Sequence, residues 1–164
     1  MLAQAVGYAA AALGHVALAA GKPLLVKDVA EACGIPPAYL AKIVNQLARR
    51  GFVSTQRGIG GGVTLAREPQ QITLLDLCEA LGDPIVQPRC MLGPHPCSDE
   101  RACPAHAFWS AHRAAHIEFL RATTVADMAL FQERGRAGVR AHLSLPRADV
   151  PRPDQADQVT RRAG

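Results

Sequence analysis

Two adjacent prolines, Pro36 and Pro37, fix a helix boundary more firmly than any other feature of this 164-residue chain. Proline has no amide hydrogen and its ring blocks the preceding turn, so a helix can begin at such a pair but cannot run through it. From Pro37 the segment PAYLAKIVNQLARRG places Leu40, Ile43, Val44 and Leu47 at i, i+3, i+4 and i+7, a single apolar stripe. The opposite face then carries Tyr39, Lys42, Asn45, Gln46 and Arg49. Just upstream, LLVKDVAEACG predicts a short helix burying Leu25, Val29, Ala30 and Cys33, with Gly34 suited to end it. Two short helices joined by a tight glycine-containing turn, the second with polar and basic residues outward, form a helix-turn-helix pattern.

The residues that follow sharpen that pattern. FVSTQR and VTLAR are short β-prone runs separated by GIGGG, which predicts a hairpin with a glycine-rich tip and Arg57 at its base. A glycine-rich loop can also cradle nucleotide phosphates. Here, however, the Lys-Ser/Thr pair of a P-loop is missing, and a strand follows where a helix is needed. A wing is the better account: glycines let the main chain approach a phosphate backbone, and a guanidinium at that place can enter a minor groove. Charge agrees. From Cys33 to Arg67, 35 residues, there is no Asp or Glu, while Lys42, Arg49, Arg50, Arg57 and Arg67 supply five cations within a net charge of +4. A field of one sign suits a polyanionic partner. A solvated face with a chance run of cations is the plainer alternative.

The opening run, Leu2 to Ala20, is apolar and ends in small residues like a signal peptide, yet no Lys or Arg precedes Lys22. Its many alanines, with Gln4, Tyr8 and His15, argue against a membrane span and for a buried amphipathic helix, hence a cytoplasmic protein. Five cysteines is an odd number, unevenly placed, which fits a reducing compartment better than a disulfide framework.

Beyond the hairpin, QQITLLDLCEALGD predicts a helix with Thr73 as N-cap, Asp76 completing a capping box, Gly82 at its end and Cys78 inside as a small core residue. PAHAFWSAHRAAHIEFLRA, started by Pro104, repeats Phe108, Ala111, Ala115 and Phe119 near the helical period. A long helix on so small a domain needs a surface to cover its apolar side, and the same helix of a second subunit is the economical one. His112 and His116 are read as polar-face or interface residues. Thr124 and Asp127 cap a last helix, and from about Gly135 the aperiodic Arg, Pro and Asp predict a disordered tail. The expected organisation is a winged helix-turn-helix domain over 1–83, a ligand loop over 84–106, a dimerisation helix with its short successor over 104–134, and the tail over 135–164. The fold class is mainly α with a small β-hairpin wing.

Cys90, Cys97, Cys103 and His106 are separated by six, five and two residues in the loop CMLGPHPCSDERACPAH. Three soft thiolates and an imidazole can hold zinc or an iron-sulfur cluster, and spacing this wide suits an object larger than one ion. A helix starting at the end of the loop would favour thiolate there. A metal-free thiol switch, a zinc-stabilised module or purely structural residues are the alternatives. A Cys/His nucleophile pair lacks an orienting Asn or Asp, and no substrate cleft is implied, so an enzyme is not expected.

In sum of motifs, the chain resembles the IscR/NsrR family of winged helix-turn-helix iron-sulfur regulators over about residues 1–130. The resemblance rests on VGYAAAALGHVALAA, VAEACGIPPAYLAKIVNQLARRGFVSTQRGIGGGVTLAR, ITLLDLCEALGD, CPAHAFW and TTVADM. It implies a homodimeric transcriptional regulator, most simply a repressor, that binds double-stranded DNA at a near-palindromic operator and senses iron-sulfur, redox or nitric oxide status. It implies that Cys90, Cys97 and Cys103 are the three family cysteines and that His106, the histidine of the IscR-like branch, completes a [2Fe-2S] cluster. The DNA-facing set it implies is Pro37, Ala38, Tyr39, Lys42, Asn45 and Arg49 on the second helix, with Arg57 and Gly60 on the wing. No membrane and no small-molecule substrate are expected. Ala41 stands where IscR-like members carry Glu, and His95 is a second candidate imidazole within the loop.

Overall fold

The computed structural model describes residues 2–90, 92–93 and 95–138. The chain divides into a unit of residues 1–133 and a second of 134–164; the fold below is that of the first. Helix α1 spans Gln4–Leu18, α2 Val26–Cys33 and α3 Pro37–Arg49; strands β1 (Val53–Gln56) and β2 (Gly62–Leu65) follow, then α4 (Leu74–Leu81), α5 (His106–Ala122) and α6 (Val125–Gly138). The class is the expected one: mainly helical, with one antiparallel hairpin.

One apolar core joins the first four helices to the hairpin. Leu40, Ile43, Val44 and Leu47, the stripe read from the sequence, are all buried against Val6, Ala9, Leu13, Val29, Ala30 and Leu77. Burying side chains of this size contributes about 1.5–3 kcal/mol each, so one stripe fixes the rotation of α3 about its axis. Pro37 is the first residue of α3, and Gly34 ends α2 in the left-handed region at φ 65°. Leu25 departs from expectation: it is 46% exposed. It is the N-cap of α2, one residue before the helical periodicity begins, so the stripe that carries Val29 and Ala30 does not extend to it. Cys33, at the last turn of α2, is half-buried.

The wing is tied to the helices at two points. Leu24, in the connection between α1 and α2, exchanges both backbone hydrogen bonds with Val63 of β2, at 2.8 and 3.1 Å. A Cβ at position 62 would lie 2.5 Å from the Leu24 oxygen, and one at 61 would overlap the Gln56 oxygen, which is why glycine occupies both. Past β2, Arg67 turns back: its Nε and Nη2 donate to Gly51 O and Arg50 O at 3.0 and 3.1 Å, and the guanidinium lies over the Phe52 ring, 4.5 Å from its centre.

Helix α4 begins in the expected capping box. Thr73 Oγ1 accepts from Asp76 N at 3.1 Å and Thr73 N donates to Asp76 Oδ2 at 2.8 Å. Thr73 also pairs with Thr124 at the start of α6, and Leu74 N donates to Thr123 O at 2.8 Å. Thr73→Ala is therefore expected to cost about 1 kcal/mol and lower the thermal midpoint by about 2–4 °C, measured by circular dichroism. An unchanged midpoint would mean the cap is not formed.

Asp83, after α4, is buried with its carboxylate accepting from Ala3 N at 2.7 Å and Ile85 N at 2.9 Å, joining the start of α1 to the root of the cysteine loop. Helix α5 starts at His106, two residues later than the proline signal suggested; Pro104 lies in the turn before it. Phe108 and Phe119 on α5 remain 67% and 58% exposed, and the buried residue of that helix is Leu120. Thr124 and Asp127 cap α6 as expected, at 2.8 and 3.3 Å. That helix runs to Gly138, past the expected start of the tail, and the rest of the tail lies outside the described residues. Among the described residues no helix is long and apolar enough to cross a membrane.

Candidate functional site

Burial of the α3 stripe leaves the opposite side of that helix outward. Pro37, Ala38, Tyr39, Lys42, Asn45 and Arg49 are all exposed. Tyr39 is braced from α1 by Tyr8, the rings edge-to-face with centroids 5.7 Å apart, and the Tyr8 hydroxyl accepts from Gln4 Nε2 at 3.0 Å. On the wing Arg57 and Gly60 are exposed, and between them Ile59 is fully so. An aliphatic side chain held at a hairpin tip between Gly58 and Gly60, both at positive φ, has no packing role there. A lone aliphatic residue among glycines carries no periodicity, so the sequence alone does not single out Ile59. Arg67, counted from the sequence among the five cations of this region, is exposed and engaged with the carbonyls of Arg50 and Gly51.

The loop brings the four candidate ligands together as two pairs. Cys90 Sγ lies 3.9 Å from Cys103 Sγ, and Cys97 Sγ lies 3.2 Å from His106 Nδ1. His106 Nε2 is 2.8 Å from Asp99 Oδ1. With Nε2–H donating to that carboxylate, Nδ1 keeps its lone pair toward Cys97. Asp99 was missed at the sequence level, although a carboxylate behind a ligand imidazole is a common arrangement. His95 contributes its carbonyl, accepting from Cys90 N at 3.2 Å. The loop is stitched to α5 by Trp109 Nε1, donating to Arg89 O at 2.9 Å, and by Arg113 Nη2, donating to Val86 O at 3.1 Å. Among the described residues no three His, Cys, Asp or Glu side chains converge closely enough to hold one metal ion.

The thiols are not equivalent. The Leu92 backbone, then Cys103, Gly93 and Arg101, pull the Cys90 thiol below its ordinary value against the opposing effect of partial burial. Partial burial, then Cys90, Cys103 and Asp99, raise the Cys97 thiol, with Arg113 opposing them. Cys78 is a different case: burial, with Asp83 and Glu79 adding to it, pushes its thiol up to about 12. A protonated core thiol is a poor nucleophile. Iodoacetamide at neutral pH is therefore expected to spare Cys78 in the native protein and label it after denaturation, as peptide mass spectrometry would show; native labelling of Cys78 would contradict its burial.

A helix-turn-helix whose second helix turns a polar, basic face outward, followed by a hairpin wing, defines a winged-helix DNA-binding transcriptional regulator rather than an enzyme. Comparison with known proteins narrows the class. Residues 2–130 match Rrf2, described as an iron-dependent transcriptional regulator. A putative HTH-type transcriptional regulator of Aquifex aeolicus is 34% identical over 131 residues, 79% of this chain and 91% of that one. The HTH-type transcriptional regulator IscR of Escherichia coli K12 is 29% identical over 153 residues, 93% and 91% of the two chains. Among solved structures, the global cysteine regulator CymR of B. subtilis superposes with a TM-score of 0.66 at 26% identity, covering 80% of this chain and 97% of that one. T. potens IscR gives 0.61 at 23%, covering 90% and 93%. The chain belongs to the Rrf2 family of transcriptional regulators.

Proposed function

We propose that this protein is a cytoplasmic homodimeric repressor that binds a near-palindromic operator and reports iron-sulfur, redox or nitric oxide status through a [2Fe-2S] cluster held by Cys90, Cys97, Cys103 and His106. The observation that carries the cluster reading is the two-plus-two arrangement of donors, Cys90 with Cys103 and Cys97 with His106. Two irons that each take two protein ligands need such a set, whereas a structural zinc ion needs four donors about one point. Similarity to IscR of E. coli supports the same choice. The exposed Phe108 and Phe119 on α5 support the dimer, because a second copy of that helix covers both at once. The outward α3 face and the wing supply the DNA contacts, with Pro37, Ala38, Tyr39, Lys42, Asn45 and Arg49 in the major groove and Arg57 and Gly60 at the backbone or minor groove.

When bound, such a cluster supplies a redox-active, oxidant-sensitive centre. The chain's own residues do the rest. Asp99 fixes which imidazole nitrogen of His106 faces Cys97. Trp109 and Arg113 fasten the residues just before Cys90 to α5, so whether the loop is held or released is felt by the helix that joins the subunits. A change in the spacing of two reading heads would bias operator affinity by about 1–3 kcal/mol, the usual range of coupling between sites. The test is anaerobic purification with iron and acid-labile sulfide analysis. About two of each per chain, with visible absorbance, are expected.

A second reading, a metal-free thiol switch, is favoured by the 3.9 Å between Cys90 and Cys103 and the lowered Cys90 thiol. The structural likeness to CymR, a global cysteine regulator, points the same way. A colourless protein whose operator binding responds to a thiol oxidant, and loses that response in Cys103→Ala, would establish it. Stoichiometric zinc would point instead to a zinc-stabilised regulator.

A further inference from the structure

Arg113 stands out among the described residues. Its Nε is shut off from solvent with no hydrogen-bond partner, while Nη2 is spent on Val86 O at 3.1 Å. No carboxylate lies within ion-pair distance of it among the described residues. A half-buried cation with an orphaned donor is costly unless something anionic accompanies it.

Its position says what that anion is. Arg113 lies two helical turns after His106, on the same side of α5. It lines a cavity of about 260 Å³ together with Cys97, Asp99, His106 and Trp109. Of these, Asp99 is already paired with His106, at 2.8 Å, and its side chain is otherwise in solvent. We propose that Arg113 is the counter-charge of the cysteine loop: its guanidinium, pinned by Val86, faces the cavity that Cys97 and His106 line and balances the negative charge that Cys97, with Cys90 and Cys103 in the same loop, brings as thiolates.

The inference rests on the cluster reading given above. With three thiolates and a neutral imidazole, the oxidised assembly carries net negative charge. One electron from a donor such as dithionite would add a further unit of negative charge. A neighbouring cation stabilises both states and the more negative one more strongly. Neutralising Arg113 is therefore expected to lower the midpoint potential and to loosen the cluster.

The experiment compares full-length wild type with Arg113→Gln, Arg113→Met and Arg113→Lys, all purified anaerobically. Circular dichroism confirms the fold, and either neutral variant suffices if the other misfolds. Midpoint potential is read by dithionite titration of the visible band, and cluster loss by challenge with an iron chelator. Both neutral variants should shift to lower potential and lose iron faster by about 10- to 100-fold, the range seen for outer partners of metal ligands, and Arg113→Lys should track wild type. Gln keeps a donor for Val86 O without the charge, so a Gln variant with wild-type potential and wild-type loss overturns the proposal. Lys falling together with Gln also overturns it, since a lost hydrogen-bonding fork would then be the cause. Wild type without iron and sulfide defeats the cluster reading and this inference with it, whereas a loaded wild type with unmoved variants defeats the inference alone.

Discussion

Replacing Cys97 by alanine is expected to leave a folded protein that carries no iron and whose operator binding no longer responds to oxidant. The fold should survive because Cys97 lies in the loop, outside the apolar core, where its side chain meets that of His106 at 3.2 Å. The proposed cofactor should not, because removing one thiolate would leave His106 as the sole donor of its pair. Far-ultraviolet circular dichroism, iron and sulfide analysis, and anaerobic gel shifts before and after oxidation separate the two effects. Unchanged visible absorbance and an unchanged oxidant response would remove Cys97 from the ligand set and with it the proposed cluster.

Arg57→Ala should weaken operator binding by about 1–3 kcal/mol while leaving thermal stability unchanged. The side chain is exposed at the end of β1, and among the described residues it has no hydrogen bond or ion pair to lose. If it neutralises a phosphate, the slope of log affinity against log salt should become shallower by about 1, and the loss should be similar across operator sequences. If it enters a minor groove, the loss should depend on A·T content instead. Fluorescence anisotropy at several salt concentrations distinguishes the two. Wild-type affinity in the variant would show that the wing does not touch DNA.

The frame of the molecule was readable because its signals are local. A proline pair, the left-handed Gly34 and Gly82, the Thr73–Asp76 box and a four-residue apolar stripe each act within a few residues, and each stands where it was expected. Leu25 was misread as core because a short apolar run does not reveal which residue is the first in the helix. The candidate site divided in the same way. The candidate donors and their order are visible in the sequence, but their pairing into 90 with 103 and 97 with 106 depends on how an irregular loop folds back, which no periodicity encodes. Asp99 and Arg113 were invisible as partners for that reason, and Arg67 looked like one more cation of its region because a side chain that doubles back onto carbonyls 16 and 17 positions earlier leaves no pattern in the sequence.

That last contact bears on how such a protein can be re-engineered. One planar guanidinium, two residues past the end of β2, grips the peptide oxygens just beyond α3, so helix and hairpin behave as one stiff body. Target preference should therefore transplant as a cassette from residue 37 through residue 67, whereas grafting the helix alone would set a foreign key into a handle cut at another angle.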